Sequence, residues 1–239
     1  MHTKAYKYYS VALGVVALDQ ILKLWVHFNM KMGLWGQIKL LGNWFKLLYT
    51  LNPGMAFGIQ FGFSYDKLVL TIIRIIATIC IIHYIWKLSL SENVVSSLDF
   101  APLEETKNTT ALDLQSQALY KRVFIYGWAL VLGGAAGNGI DSIFYGKLLN
   151  NAPVGAPTPW LSGQVIDMLY IDLWSGKLPH WVPFLGNNFV TCLPIFNLAD
   201  VAILAGIGLV ILTNRHHYAQ KTDREVVDCS NHTMSEESI

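Results

Sequence analysis

Leu193-Pro194-Ile195-Phe196-Asn197-Leu198-Ala199-Asp200-Val201-Ala202-Ile203-Leu204-Ala205-Gly206-Ile207-Gly208-Leu209-Val210-Ile211-Leu212-Thr213 is an apolar run of bilayer-spanning length with a carboxylate, Asp200, about two turns from its start. Ionised groups inside a membrane span cost several kcal/mol, so Asp200 is a functional-site candidate by default and needs a partner. The sequence offers three acids for that role: Asp19, Asp141 and Asp167.

Outward from this run the same character persists. Of 239 residues, 53% are hydrophobic and 14% are charged, against roughly a quarter charged in soluble domains. With a mean hydropathy of +0.39, this is the composition of a membrane protein. Apolar blocks fall at 8–28, 68–88, 122–141 and 193–213, each about the length a helix needs to cross a hydrocarbon core. The expected fold is therefore an all-α membrane protein of four transmembrane helices, a single unit over 1–215 with a disordered tail at 216–239. The first block follows Lys4 and Lys7 as a signal peptide does, but it carries Asp19 and Lys23 and no cleavage site follows, so it reads as an uncleaved anchor. The distribution of Lys and Arg favours both termini in the cytoplasm, with 89–121 as a cytoplasmic loop and 29–67 and 142–192 as outer segments. Residues 29–65, interrupted and rich in Trp, Phe and Tyr, are expected to form short strands on the bilayer surface. The proline- and Trp-rich stretch 145–191 reads as a stiff interfacial cap without regular helix.

Polar groups share helix faces: Asp19 with Lys23 at i,i+4, Asn138 with Asp141 and Asn197 with Asp200 at i,i+3. Two carboxylates brought close in a low-dielectric pocket cannot both ionise, so one is held as an acid while the other is a base that activates water. Such chemistry needs no metal or other cofactor, in keeping with the lack of an HExxH helix or a Cys/His ligand set. Cys80, Cys192 and Cys229 are scattered, and His216, His217 and His232 fall in the polar tail. There is no GxSxG elbow. Spacing leaves the partner of Asp200 open, and it leaves open a different class of function, a small proton or cation transporter using buried aspartates. A net charge of +1 gives no reason to expect a nucleic-acid partner.

Five motifs in order resemble the lipoprotein signal peptidases (signal peptidase II): Asp19-Gln20 with Lys23, Asn52-Pro53-Gly54-Met55-Ala56-Phe57-Gly58, Gly133-Gly134-Ala135-Ala136-Gly137-Asn138 with Asp141, Val165-Ile166-Asp167, and Phe196-Asn197-Leu198-Ala199-Asp200. The resemblance implies a catalytic pair of Asp167 and Asp200, with Asp141 as a support residue. It implies an aspartic endopeptidase of the bacterial inner membrane, monomeric and open to the periplasm. Its substrate would be a prolipoprotein reached through membrane lipid and cut before the diacylglyceryl-modified cysteine. Asn52, Gly54, Asn138 and Asn197 would position substrate or carboxylates, and Asp19 and Lys23 would form a buried pair orienting the first helix. The family commonly has Arg after the acid at 141, whereas this chain has Ser142. Arg74, about two turns into the second span, is the expected substitute, facing the bundle and pairing with a site acid or a loop carbonyl. The connections between Asp141, Asp167 and Asp200 are longer than in compact members.

Overall fold

The computed structural model describes residues 5–53, 65–98, 111–172, 175–177, 180, 189–191 and 194–214. Apolar runs become helices because a helix satisfies its own backbone where water is absent. These are α1 (Tyr6–Asn29), α2 (Asp66–Leu98), α3 (Ala111–Ile140) and the shorter α4 (Leu198–Asn214). The first three, α3 counted through Leu148, are long and apolar enough to cross a membrane. Only 11% of the apolar window of α2 is buried, against 50% for α3, so α3 is the central helix.

Burial runs opposite to that of a soluble bundle. On α1 the exposed side chains are Leu13, Leu18, Ile21, Leu22, Trp25 and Phe28, while Asp19 and Lys23 are fully buried. One apolar cluster, with Tyr8, Ala12, Ile85, Ile125, Ala129 and Leu132, sits toward the N-terminal end of α1. A second, with Val26, Met30, Tyr49, Tyr145, Ile166 and Met168, sits toward its other end. The polar layer lies between them. Glycine lets the helices meet there: a Cβ on Gly134 of α3 would stand 2.3 Å from the carbonyl oxygen of Ala199, and one on Gly137 would stand 2.7 Å from Oδ2 of Asp19.

Three strands form an antiparallel sheet in the order β1 (Ile38–Leu41), β2 (Phe45–Asn52), β3 (Val165–Ile171). Thr50 pairs with Asp167, Leu51 with Ile166 and Asn52 with Val165. The strands expected within 29–65 are therefore present, and the proline-rich segment 145–191 contributes a third that its composition hid. Ser175–Lys177 (β4) and Phe189–Thr191 (β5) make a separate two-stranded pair.

Three boundaries differ from expectation. α4 begins at Leu198 and not 193, because Phe196 is engaged elsewhere: its carbonyl accepts from the Met168 and Leu169 amides at 3.0 and 2.7 Å, and its own N–H donates to the Leu169 carbonyl at 3.0 Å. α3 does not stop at 141 but passes into a π turn, Asp141–Tyr145, and a short turn Gly146–Leu148. The segment 89–121, expected as a loop, is helical up to Leu98 and again from Ala111, since a nucleated helix extends at little cost into polar sequence. Gly54, Cys192, Cys229 and the tail with its three histidines lie outside the described residues.

Candidate active site

Asp167 lies mid-strand in β3, 2% exposed, and Asp200 lies in the first turn of α4. The Phe196–Leu169 stitch brings the two elements together, and Asn197 joins their acids. Its side-chain amide donates to Oδ1 of Asp167 at 2.6 Å, while its backbone N–H donates to Oδ2 of Asp200 at 3.1 Å. The Asp200 N–H returns a bond to Oδ1 of Asn197 at 3.0 Å. This reciprocal pair is a capping box, which satisfies two orphan N–H groups at the start of α4. The helix cap and the link between the carboxylates are thus the same residue.

The amide orientations are set by a neighbouring ammonium. Lys23 Nζ donates to Oδ1 of Asn138 at 2.9 Å, and Oδ1 also accepts from Asn197 Nδ2 at 3.1 Å, so the Asn138 amide nitrogen faces Asp200 Oδ1 at 2.9 Å. Asn52 donates to Oδ2 of Asp167 at 2.8 Å. Burial, reinforced by the charge of Asp200, pushes the Asp167 carboxyl up to about 7 against the opposing effect of its amide donors. Asp200 is only partly buried. One acid is therefore enclosed, with burial working against its charged form, while its neighbour is more open.

Below this pair is a second polar cluster. Lys23 Nζ bridges Oδ2 of Asp19 and Oδ2 of Asp141, each at 2.8 Å, with all three side chains fully buried. Asp19 accepts the N–H of Ala199 at 3.0 Å, and Asp141 accepts that of Ile166 at 3.2 Å. Each buried acid thus grips the backbone one residue before a candidate catalytic aspartate. Gln20 links the same two carboxylates at 3.1 and 2.9 Å and accepts from the Tyr145 hydroxyl at 2.6 Å.

On α2, Arg74 faces the bundle and donates to Oγ of Ser142 at 2.7 Å. The guanidinium therefore reaches the position where the family pattern carries its arginine, and the charges of Asp200, Asp141 and Asp167 act on it. Ser142 is one of its partners, and the bond ties α2 to the π turn that continues α3.

Two readings from spacing change. Asn138 does not pair with Asp141 through its side chain but reaches across to Asp200. Lys67, taken with the lysines of the outer segments, is 5% exposed in the first turn of α2. Gln20 and Tyr145 were missed as site residues, although the spacing of Gln20 beside Asp19 and one turn from Lys23 placed it next to the buried pair.

The family profile described as "Signal peptidase (SPase) II" matches residues 11–101 and 110–215. A "Lipoprotein signal peptidase" of Amoebophilus asiaticus (strain 5a2) is 59% identical over 224 residues, covering 94% of this chain and 84% of that protein. Another of the same description, from Porphyromonas gingivalis, is 33% identical over 208 residues, covering 83% and 77%. A solved structure titled "Bacterial membrane enzyme structure by the in meso method at 2.3 A resolution" is similar in fold, with a TM-score of 0.53 at 21% identity, covering 92% of this chain and 96% of that one.

Proposed function

The chain belongs to the lipoprotein signal peptidase (signal peptidase II) family, peptidases that remove the signal peptides of prolipoproteins, and from that premise we propose that Asp167 and Asp200 are the acid and base of its hydrolytic step. The observation that carries this reading is Asn197, which donates to both carboxylates at once. Asp200, the more open of the two, takes a proton from water as the water oxygen attacks the scissile carbonyl carbon. Asp167, protonated, donates to the carbonyl oxygen. As the tetrahedral intermediate collapses and the C–N bond breaks, Asp200 passes its proton to the departing amine nitrogen and Asp167 takes back the proton from the hydroxyl that becomes the carbonyl.

Asn52, Asn138 and Asn197 hold the carboxylates, Gly54 is assigned to substrate binding by the family motif alone, and Asp19, Lys23 and Asp141 brace the two backbones. Arg74 supplies the cation missing at Ser142. Residues 1–215 form one four-helix unit of the bacterial inner membrane, with both termini cytoplasmic and the site toward the periplasm. The enzyme acts as a monomer on diacylglyceryl-modified substrate that arrives through lipid. The transporter reading loses its footing with the family assignment.

Purified full-length protein should cleave a diacylglyceryl-modified prolipoprotein before its lipidated cysteine, with and without a metal chelator. Asp167→Asn and Asp200→Asn should each reduce cleavage by roughly a thousandfold or more, as loss of a principal catalytic group does. Retained cleavage in both variants would overturn the pair.

A further inference from the structure

α2 buries almost none of its surface, yet Lys67 and Thr71, at i and i+4, are 5% and 0% exposed, and Arg74 follows at i+7 on the same face. Over its first turns, a helix turned largely outward thus directs polar groups inward. Two of the three have acceptors: the Thr71 hydroxyl donates to the Lys67 carbonyl at 2.9 Å, and Arg74 donates to Ser142. The third does not. Lys67 Nζ is out of contact with solvent and has no hydrogen-bond partner among the described residues. The charges of Arg74, Asp141, Asp66 and Asp167 all act on this ammonium, so it lies within the electrostatic reach of the site.

An ammonium has three donors, and burying it without acceptors costs several kcal/mol. None of the neighbouring acids bonds Lys67 Nζ: Asp141 receives Lys23, Gln20 and the Ile166 amide, Asp167 receives Asn52 and Asn197, and Asp66 receives the Lys67 backbone N–H. We propose that Lys67 is a substrate-binding residue whose acceptor is a carbonyl oxygen brought by the lipidated prolipoprotein. This rests on the peptidase reading given above and extends it to how substrate is held. Two sources share that chemistry: a backbone carbonyl near the scissile bond, and an ester carbonyl of the diacylglyceryl group. Lys67 opens α2, where the chain enters its apolar span, so either could arrive at its depth. No acid–base role is assigned to it.

The test compares wild type, Lys67→Met and Lys67→Arg, all full-length, on two synthetic lipopeptides spanning the cleavage site. One carries an ester-linked diacylglyceryl cysteine and the other an ether-linked dialkylglyceryl cysteine. On the ester substrate, Lys67→Met should raise KM by roughly tenfold or more, the worth of a hydrogen bond to a charged group, with kcat within about twofold. Lys67→Arg, which keeps the donors, should recover most of the loss. If wild type already binds the ether substrate poorly and Lys67→Met makes it no worse, the ester carbonyl is the acceptor. If Lys67→Met weakens both substrates equally, the acceptor is on the peptide. Thermal stability separates binding from scaffolding: removing an unsatisfied ammonium should leave the melting temperature unchanged or raise it. An unaltered KM for both substrates, or a lowered melting temperature accompanied by a fall in kcat alone, would overturn the proposal. Failure of wild type to cleave the ester substrate would instead strike at the peptidase reading itself.

Discussion

Asp167 combines near-complete burial with two amide donors, and those opposing influences make its titration a usable signal. With the carboxyl pushed up to about 7 and acting as the acid, cleavage should fall as pH rises through that value. Asn52 stabilises the charged form, so Asn52→Ala should move this alkaline limb to higher pH. A pH profile of kcat/KM in both proteins checks the direction. Stability carries the same signature with a definite sign. A carboxyl whose folded value exceeds its unfolded value near 3.9 contributes fully at pH below the latter, and that contribution is lost as pH rises through about 7. Asp167→Asn should therefore raise the melting temperature more at pH 8 than at pH 5. Equal shifts at the two pH values would contradict the assignment.

Among the elements, the junction of α1, α3 and α4 is tied together by Lys23. Its ammonium is the cation between Asp19 and Asp141, which in turn hold the Ala199 and Ile166 amides. Lys23→Met would leave two buried carboxylates facing each other and should destabilise the protein by about 3–5 kcal/mol, the cost of breaking a buried ion pair. Thermal unfolding in detergent measures it. The spans of α1, α2 and α3 were legible because each holds an apolar block of bilayer length, and the α1 pair because Asp19 and Lys23 are one turn apart. Helix ends were less so: polar residues beyond the apolar blocks of α2 and α3 continue the helix without altering hydropathy. β3 was hidden because Val165–Ile171 is short and flanked by turn-forming residues, and its register depends on β2 more than a hundred positions earlier. The Asp141–Tyr145 π turn had no sequence signal. It lets Ser142 and Ile143 turn their carbonyls to the amides of Gly163 and Leu161 at 2.9 and 3.1 Å, which secures the chain leading into β3.

The whole molecule presents apolar side chains outward and reserves its interior layer for charge. This extends past the helices: Leu34, Leu40, Leu41 and Trp44 are exposed beside the sheet, and Trp35 is 96% exposed. Aromatic residues so placed favour the bilayer interface. In vesicles, fluorescence from Trp35 as the sole tryptophan of a functional variant should be quenched by lipids brominated near the headgroup more than by those brominated near the chain terminus. Absence of quenching at either depth would remove the sheet from the membrane surface. The capping box at Asn197 and Asp200 has a further consequence in time. Ribosomal synthesis runs from residue 1 onward, so Lys23, Asn52, Arg74, Asn138, Asp141 and Asp167 all emerge before Asn197 and Asp200. Until the final helix inserts, Asp167 lacks both its bridging amide and its companion acid. With Asp167 and Asp200 as the proposed pair, a nascent chain stays proteolytically inert until α4 docks, so competence arrives in a single event.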